Sequence, residues 1–180
     1  MTIIDRNVDV AMRRANMDNL PNFALPPGFS ATYYHHGDVA AWLAVQQAAE
    51  RHFPIDEARF WRAFGSHPEE LPRRQIFIRN DAGAPIGTIT AWFGNDKDDD
   101  EIGRIHWVAI VPDYQGRGLA KPMLALACWR LRELGHTHAF LDTSSARVPA
   151  INLYRSFGFA PDLATPEDAA NWQELMPFLK

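Results

Sequence analysis

The order of hydrophobic segments along this 180-residue chain predicts an α/β (α+β) fold, with a mixed, mostly antiparallel central sheet flanked by helices. Three observations carry that reading. Two β-prone runs, residues 75–79 and Pro85–Phe93, flank the turn Asn80-Asp81-Ala82-Gly83, which is the pattern of a hairpin. A third run, residues 102–111, passes through a glycine-bearing loop into a long amphipathic segment, residues 119–134, that Gly135 ends. A strand-then-helix pair, residues 138–142 and 148–157, follows, so helices must lie against the faces of one sheet.

The remaining elements fall between these in order. Residues 1–29 read as an N-terminal arm, because the prolines at 21, 26 and 27 favour extended or turning backbone. Residues 30–180 read as a single domain, a size suited to one buried core. Within it, residues 29–34 form a first strand. Asp38 can cap a helix through Trp42, Val45 and Ala49, and residues 56–64 form a second helix with Phe60, Trp61 and Phe64 on its inner side. Gly158-Phe159 starts a strand or turn. Thr165-Pro166-Glu167-Asp168 is a helix start, with a cap, a proline at the first position and acids near the positive end.

Composition narrows the function. With 47% hydrophobic and 22% charged residues the chain is an ordinary globular sequence, and its net charge of −4 supplies no basic field for nucleic acid or an anionic membrane. Cys128, the only cysteine, sits among apolar neighbours and reads as a packed helix thiol. No Cys/His grouping has zinc-site spacing, and no metal is called for. The first residues lack a secretory pattern and no apolar run reaches a membrane span, so the expected compartment is the cytoplasm.

The chemistry concentrates between residues 108 and 120. Here a buried strand turns and two glycines, Gly116 and Gly118, open a helix. Glycines let ligand oxygens approach the backbone, and the free N–H groups of a helix start favour an anion, so the loop is a phosphate cradle. It has neither the Gly-Lys-Ser/Thr ending of a P-loop nor the third glycine of the dinucleotide fingerprint.

Gln115-x-x-Gly118-x-Ala120, preceded by Pro112 and an apolar strand, resembles the acetyl-CoA signature of the GNAT superfamily. Asn152-x-Tyr154-x-x-x-Gly158-Phe159 resembles that family's second hallmark. The resemblance covers roughly residues 30–160 and implies a GNAT-like acyl-CoA N-acyltransferase fold with acetyl-CoA as co-substrate. It implies that the backbone of Val108, Ala109 and Ile110 pairs with the pantetheine arm. Gln115, Gly116, Arg117, Gly118, Leu119 and Ala120 would hold the pyrophosphate through main-chain N–H groups, the Arg117 side chain being free to meet a phosphate. Asn152 would bond the cofactor arm, and Tyr154 would protonate the departing thiolate.

The implied reaction is direct attack of a neutral amine on the thioester in a ternary complex, which needs a base for the amine, a donor for the oxyanion and an acid for the thiol. His106, two residues before Val108 and so expected on the same strand face, is the candidate base. An unperturbed imidazole titrates near pH of about 6.5. Glu101, at the head of that strand, is its rival. The acidic run from Asp96 to Glu101 could draw in a cationic acceptor, although a solvated hairpin loop explains it too. The expected acceptor is a small amine rather than nucleic acid or a membrane, and a homodimer is the assembly left open. The alternative is a non-catalytic acyl-CoA-binding or protein-interaction module on the same fold. Only 21 residues follow Phe159, so the family's closing strand hairpin has little chain left to form from.

Overall fold

The computed structural model describes residues 1–94 and 101–180. Of the acidic run from Asp96 to Glu101, which reads as a solvated hairpin loop or as an attractor of a cationic acceptor, all but Glu101 lies outside the described residues. The elements are α1 (Ile3–Arg6), β1 (Asp9–Arg14), β2 (Phe29–Tyr33), α2 (Val39–Ala49), α3 (Glu57–Phe64), α4 (Leu71–Arg74), β3 (Gln75–Asn80), β4 (Pro85–Phe93), β5 (Ile102–Ile110), α5 (Ala120–Glu133), β6 (His138–Ser144), α6 (Val148–Ser156), β7 (Ala160–Pro161) and α7 (Pro166–Leu175). Short 3₁₀ turns cover Pro68–Glu70, Pro112–Tyr114 and Met176–Phe178. The strands make a seven-stranded mixed sheet in the order β2-β3-β4-β5-β6-β1-β7. The pairs β1–β6, β1–β7, β2–β3 and β3–β4 are antiparallel and the pair β5–β6 is parallel. The chain forms two compact units, one of residues 22–92 and 105–131, the other of residues 1–21, 93–104 and 132–180.

In the first unit, β2, β3 and β4 form an antiparallel meander, from Phe29 opposite Asn80 to Gln75 opposite Thr90. The β3–β4 turn closes on Asn80, whose side-chain oxygen accepts from the N–H groups of Ala82 and Ala84. β4 is buried almost along its whole length, which a strand tolerates only with cover on both faces. Asp38 stands at the start of α2 without capping it: its carboxylate accepts from the His35 N–H and pairs with Arg79. Asp56 does cap α3, accepting from the Arg59 N–H at 2.7 Å. Phe60 and Phe64, four residues apart, are fully buried, whereas Trp61 is 42% exposed and bonds Glu57. The expectation of three inward aromatics is corrected by the helical period, which turns Trp61 about 100° from Phe60. On α5, Met123, Leu124, Ala127, Cys128 and Leu131 make the buried face.

The second unit revises the arm. Residues 9–14 are a full strand, β1, paired with β6 from Asp9 opposite Ser144 to Arg14 opposite Ala139, and with β7 at Met12 and Arg13. Its alternate residues Val10, Met12 and Arg14 are buried. The closing strand is short, β7 being two residues paired with β1, and α7 follows with the expected start: Thr165 and Asp168 cap each other reciprocally.

The end of α6 explains the second hallmark physically. The Gly158 N–H donates to the Arg155 carbonyl and the Phe159 N–H to the Tyr154 carbonyl, at 2.9 and 3.1 Å. That pattern, with Gly158 at φ 79°, is a Schellman stop, and the Tyr154 and Phe159 rings meet at 6.2 Å as its apolar contact. The spacing Tyr154-x-x-x-Gly158-Phe159 is thus the spacing of a helix end. Arg14 bonds the Phe157 carbonyl and fills the space where a side chain at 158 would go. Gly158→Ala is therefore expected to cost about 1–2 kcal/mol from the left-handed backbone alone, with the displaced Arg14 adding to it. Urea denaturation measures this, and an unchanged midpoint would contradict it.

Candidate functional site

The loop expected to cradle phosphate lies in the first unit, between β5 and α5. Residues 115–118 are exposed, and Gly116 and Gly118 take φ of 74° and 78°. A Cβ at Gly116 would meet nothing, and one at Gly118 only Pro26 at 3.8 Å, so these glycines are needed for backbone conformation and not to make room for the protein itself. Among the described residues, no partner takes the N–H groups of Gly116, Arg117, Gly118 or Leu119. The Gln115 side chain folds back, donating to the Ile110 carbonyl at 3.0 Å and tying the loop to the strand end. The exposed Arg117 stacks its guanidinium over the Tyr114 ring at 4.8 Å. Tyr114 in turn accepts from Asn80 and packs against Phe29.

β5, which leads into the loop, runs unbroken from Ile102 to Ile110 but loses its regular pleat at Trp107. This residue has φ of 51°, a left-handed backbone that costs a non-glycine residue about 1–2 kcal/mol. Consecutive side chains of a regular strand point to opposite faces. Here the His106 and Trp107 rings lie 5.8 Å apart and enter one aromatic cluster. His106 meets Phe64 at 5.8 Å, and Trp107 meets Trp42 at 5.1 Å and Phe53 at 6.3 Å. The argument that His106 and Val108 share a face rested on unbroken alternation, and alternation does not hold across Trp107. The cluster continues through Phe60, Trp92 and Tyr34. Burial pushes the Tyr34 phenol up, the Asp38 charge adding to it, so Tyr34 stays neutral.

α2 grips Trp107 at both ends. Trp42 packs on its ring, and one helical turn later the Gln46 side-chain N–H donates to its carbonyl at 3.0 Å. Sequence reading passed over Gln46 and Trp107. The usable signal was a glutamine on the apolar stripe of Trp42 and Val45, where burial needs a polar partner.

The second unit carries Asn152, Tyr154 and Glu101. Tyr154 is only 6% exposed. The Asn152 side-chain oxygen accepts from the Lys180 N–H at 2.9 Å, while no described residue takes its amide N–H groups. Glu101 is exposed in a turn, and its carbonyl accepts from the Thr137 and His138 N–H groups. Among the described residues, no three His, Cys, Asp or Glu side chains gather as a metal site, and no helix is long and apolar enough to cross a membrane.

Residues 38–159 match the sequence model of the acetyltransferase (GNAT) family. The chain is 32% identical over 146 residues to a mycothiol acetyltransferase of Pseudarthrobacter chlorophenolicus, covering 78% of this chain and 45% of that protein. It is 31% identical over 166 residues to one of Nocardia farcinica, covering 84% and 52%. The chain thus spans about half the length of the curated relatives it matches. In structure it is similar to a GCN5-related N-acetyltransferase from Sphaerobacter thermophilus, with a TM-score of 0.72 at 21% identity over 86% of this chain and 48% of that one. It is also similar to the ribosomal-protein-S18-alanine N-acetyltransferase of Escherichia coli, with a TM-score of 0.60 at 22% identity over 73% and 77%.

The open cradle makes a direct prediction. Gly118→Asp puts a β-carbon on a left-handed backbone and a negative charge among N–H groups suited to phosphate oxygens. Calorimetry is expected to show CoA binding lost while circular dichroism shows the fold kept; equal affinity would remove the loop from cofactor binding.

Proposed function

We propose that this chain, which belongs to the acetyltransferase (GNAT) family, transfers an acetyl group from acetyl-CoA to a small amine by direct attack within a ternary complex. The observation that carries the reading is the exposed loop at the head of α5, with left-handed glycines and unengaged N–H groups where a pyrophosphate would bind. Gln115 through Ala120 hold that pyrophosphate, and the backbone of Val108, Ala109 and Ile110 pairs with the pantetheine arm. The Asn152 amide N–H groups donate to a carbonyl of the same arm.

Chemistry is assigned to three groups. His106 takes the proton of the amine, directly or through one water; the N–H near Val108 stabilises the oxyanion; Tyr154 gives a proton to the departing thiolate. Glu101 is the alternative base. The aromatic cluster around His106 supports an acceptor with an apolar body, and relatives named for mycothiol support a small molecule over a structured protein or nucleic acid. The formal charge of −4 agrees with the absence of a nucleic-acid partner. A cytoplasmic setting follows from the same reading, and a homodimer is compatible with it.

Thiol release from acetyl-CoA, measured against a panel of small amines, tests the function. Turnover with none of them, together with acetylated peptides by mass spectrometry, would move the acceptor to proteins. Tyr154→Phe is expected to lower kcat by about 10²-fold with CoA affinity intact, the size of a general-acid contribution. For the base, His106→Gln is expected to lower kcat/KM near neutral pH and to recover in part at high pH, where the amine sheds its proton unaided. If His106→Gln keeps the parent pH profile while Glu101→Gln flattens its acidic limb, the base is Glu101.

A further inference from the structure

We propose that Gln46 is a positioning residue for the reaction: its bond to the Trp107 carbonyl fixes the loss of pleat in β5 that turns His106 into the aromatic cluster. The inference rests on the reading of His106 as the base. Gln46 is 3% exposed on α2, and its amide N–H lies 3.0 Å from the Trp107 carbonyl oxygen. A carbonyl only accepts, so the amide is held in this one orientation. A methionine would fill the same volume without desolvating an amide, so the bond to Trp107 is what offsets the burial of Gln46.

The bond acts where the chain is strained. Trp107 is an aromatic residue at φ 51°, a conformation that bulky side chains rarely adopt. If residue 107 relaxed to an ordinary strand conformation, the pleat would send the His106 and Trp107 side chains to opposite faces. Either His106 would leave Phe64, or Trp107 would leave Trp42 and Phe53. The carbonyl would also rotate away and leave a buried amide donor without its partner. Trp42 and Gln46, one turn apart, hold the ring and the carbonyl of the same residue, which makes α2 a clamp on the backbone at the base.

The test uses the full chain carrying Gln46→Met, which packs but cannot donate, and Gln46→Glu assayed at pH 8, which keeps size and polarity without a donor should the methionine variant fail to fold. Both are expected to lower kcat roughly 5- to 10-fold, the worth of one hydrogen bond, with CoA affinity by calorimetry unchanged. Their pH profiles should shift as that of His106→Gln does. In the His106→Gln background they should cost less than about twofold more, since the group they position is gone. A crystal structure of the variant should show Trp107 out of the left-handed region or His106 away from Phe64. Fully multiplicative losses overturn the proposal, as does a variant structure with Trp107 still left-handed and both ring contacts intact. If His106→Gln proves inert, the assignment of the base fails on its own, and Gln46 is then judged on the geometry of Trp107 alone.

Discussion

A β-strand alternates its side chains, and a strand that brings two neighbouring residues to one face has to depart from its regular backbone. β5 does so at Trp107, a non-glycine residue in left-handed backbone. The departure is tolerated because the packing around it offsets the strain. Trp107 touches Trp42 and Phe53, His106 touches Phe64, and Gln46 holds the Trp107 carbonyl. An aromatic ring pair of this geometry contributes about 0.5–1.5 kcal/mol beyond its burial and a hydrogen bond about 1 kcal/mol, which together are of the size needed to offset the cost of about 1–2 kcal/mol for the backbone. The aromatic helices α2 and α3 therefore fix the shape of the strand as well as filling a core.

The two sequence hallmarks are both glycines at positive φ, and the structure separates what each is for. At Gly158 the surrounding space is taken by Arg14, and the neighbouring N–H groups are spent on closing α6. Its requirement is internal to the fold. At Gly116 and Gly118 the space is open or nearly so, and the N–H groups meet no described partner. A protein gains nothing of its own from exposed, unengaged donors held in a demanding conformation, so the requirement there points outward to a ligand.

Much of this was legible in the sequence because it is local. Glycines at a strand end, the Asn80 turn, the Thr165 cap and the apolar stripe of α5 are set by neighbours a few residues apart. What escaped is non-local or depends on angle. In sequence β1 reads as part of an arm because the prolines from residue 21 onward dominate its surroundings and its two arginines blunt the strand signal, while the partners that order it, β6 and β7, lie more than a hundred residues away. Trp61 was placed inside by composition, and only the 100° step of the helix puts it out. The facing of His106 and Val108 assumed a regular strand, and no rule of propensity places a left-handed tryptophan in one.

The same loss of pleat bears on what kind of amine the site suits. An amine attacks only as the neutral base, and an aromatic surround disfavours a bare ammonium less than an aliphatic one would, because ring faces attract cations. On the proposed chemistry, Phe53 and Trp107, the rings of the cluster that reach the surface beside His106, can therefore meet the acceptor in its protonated form, while Trp42, Phe60 and Phe64 are fully buried core. On the proposed chemistry, an imidazole suits this setting because it places no fixed negative charge beside the ammonium, while Glu101, exposed in a turn, remains the alternative base. On this reading, the strand loses its regular pleat so that the base and the apolar wall reach the acceptor from the same side.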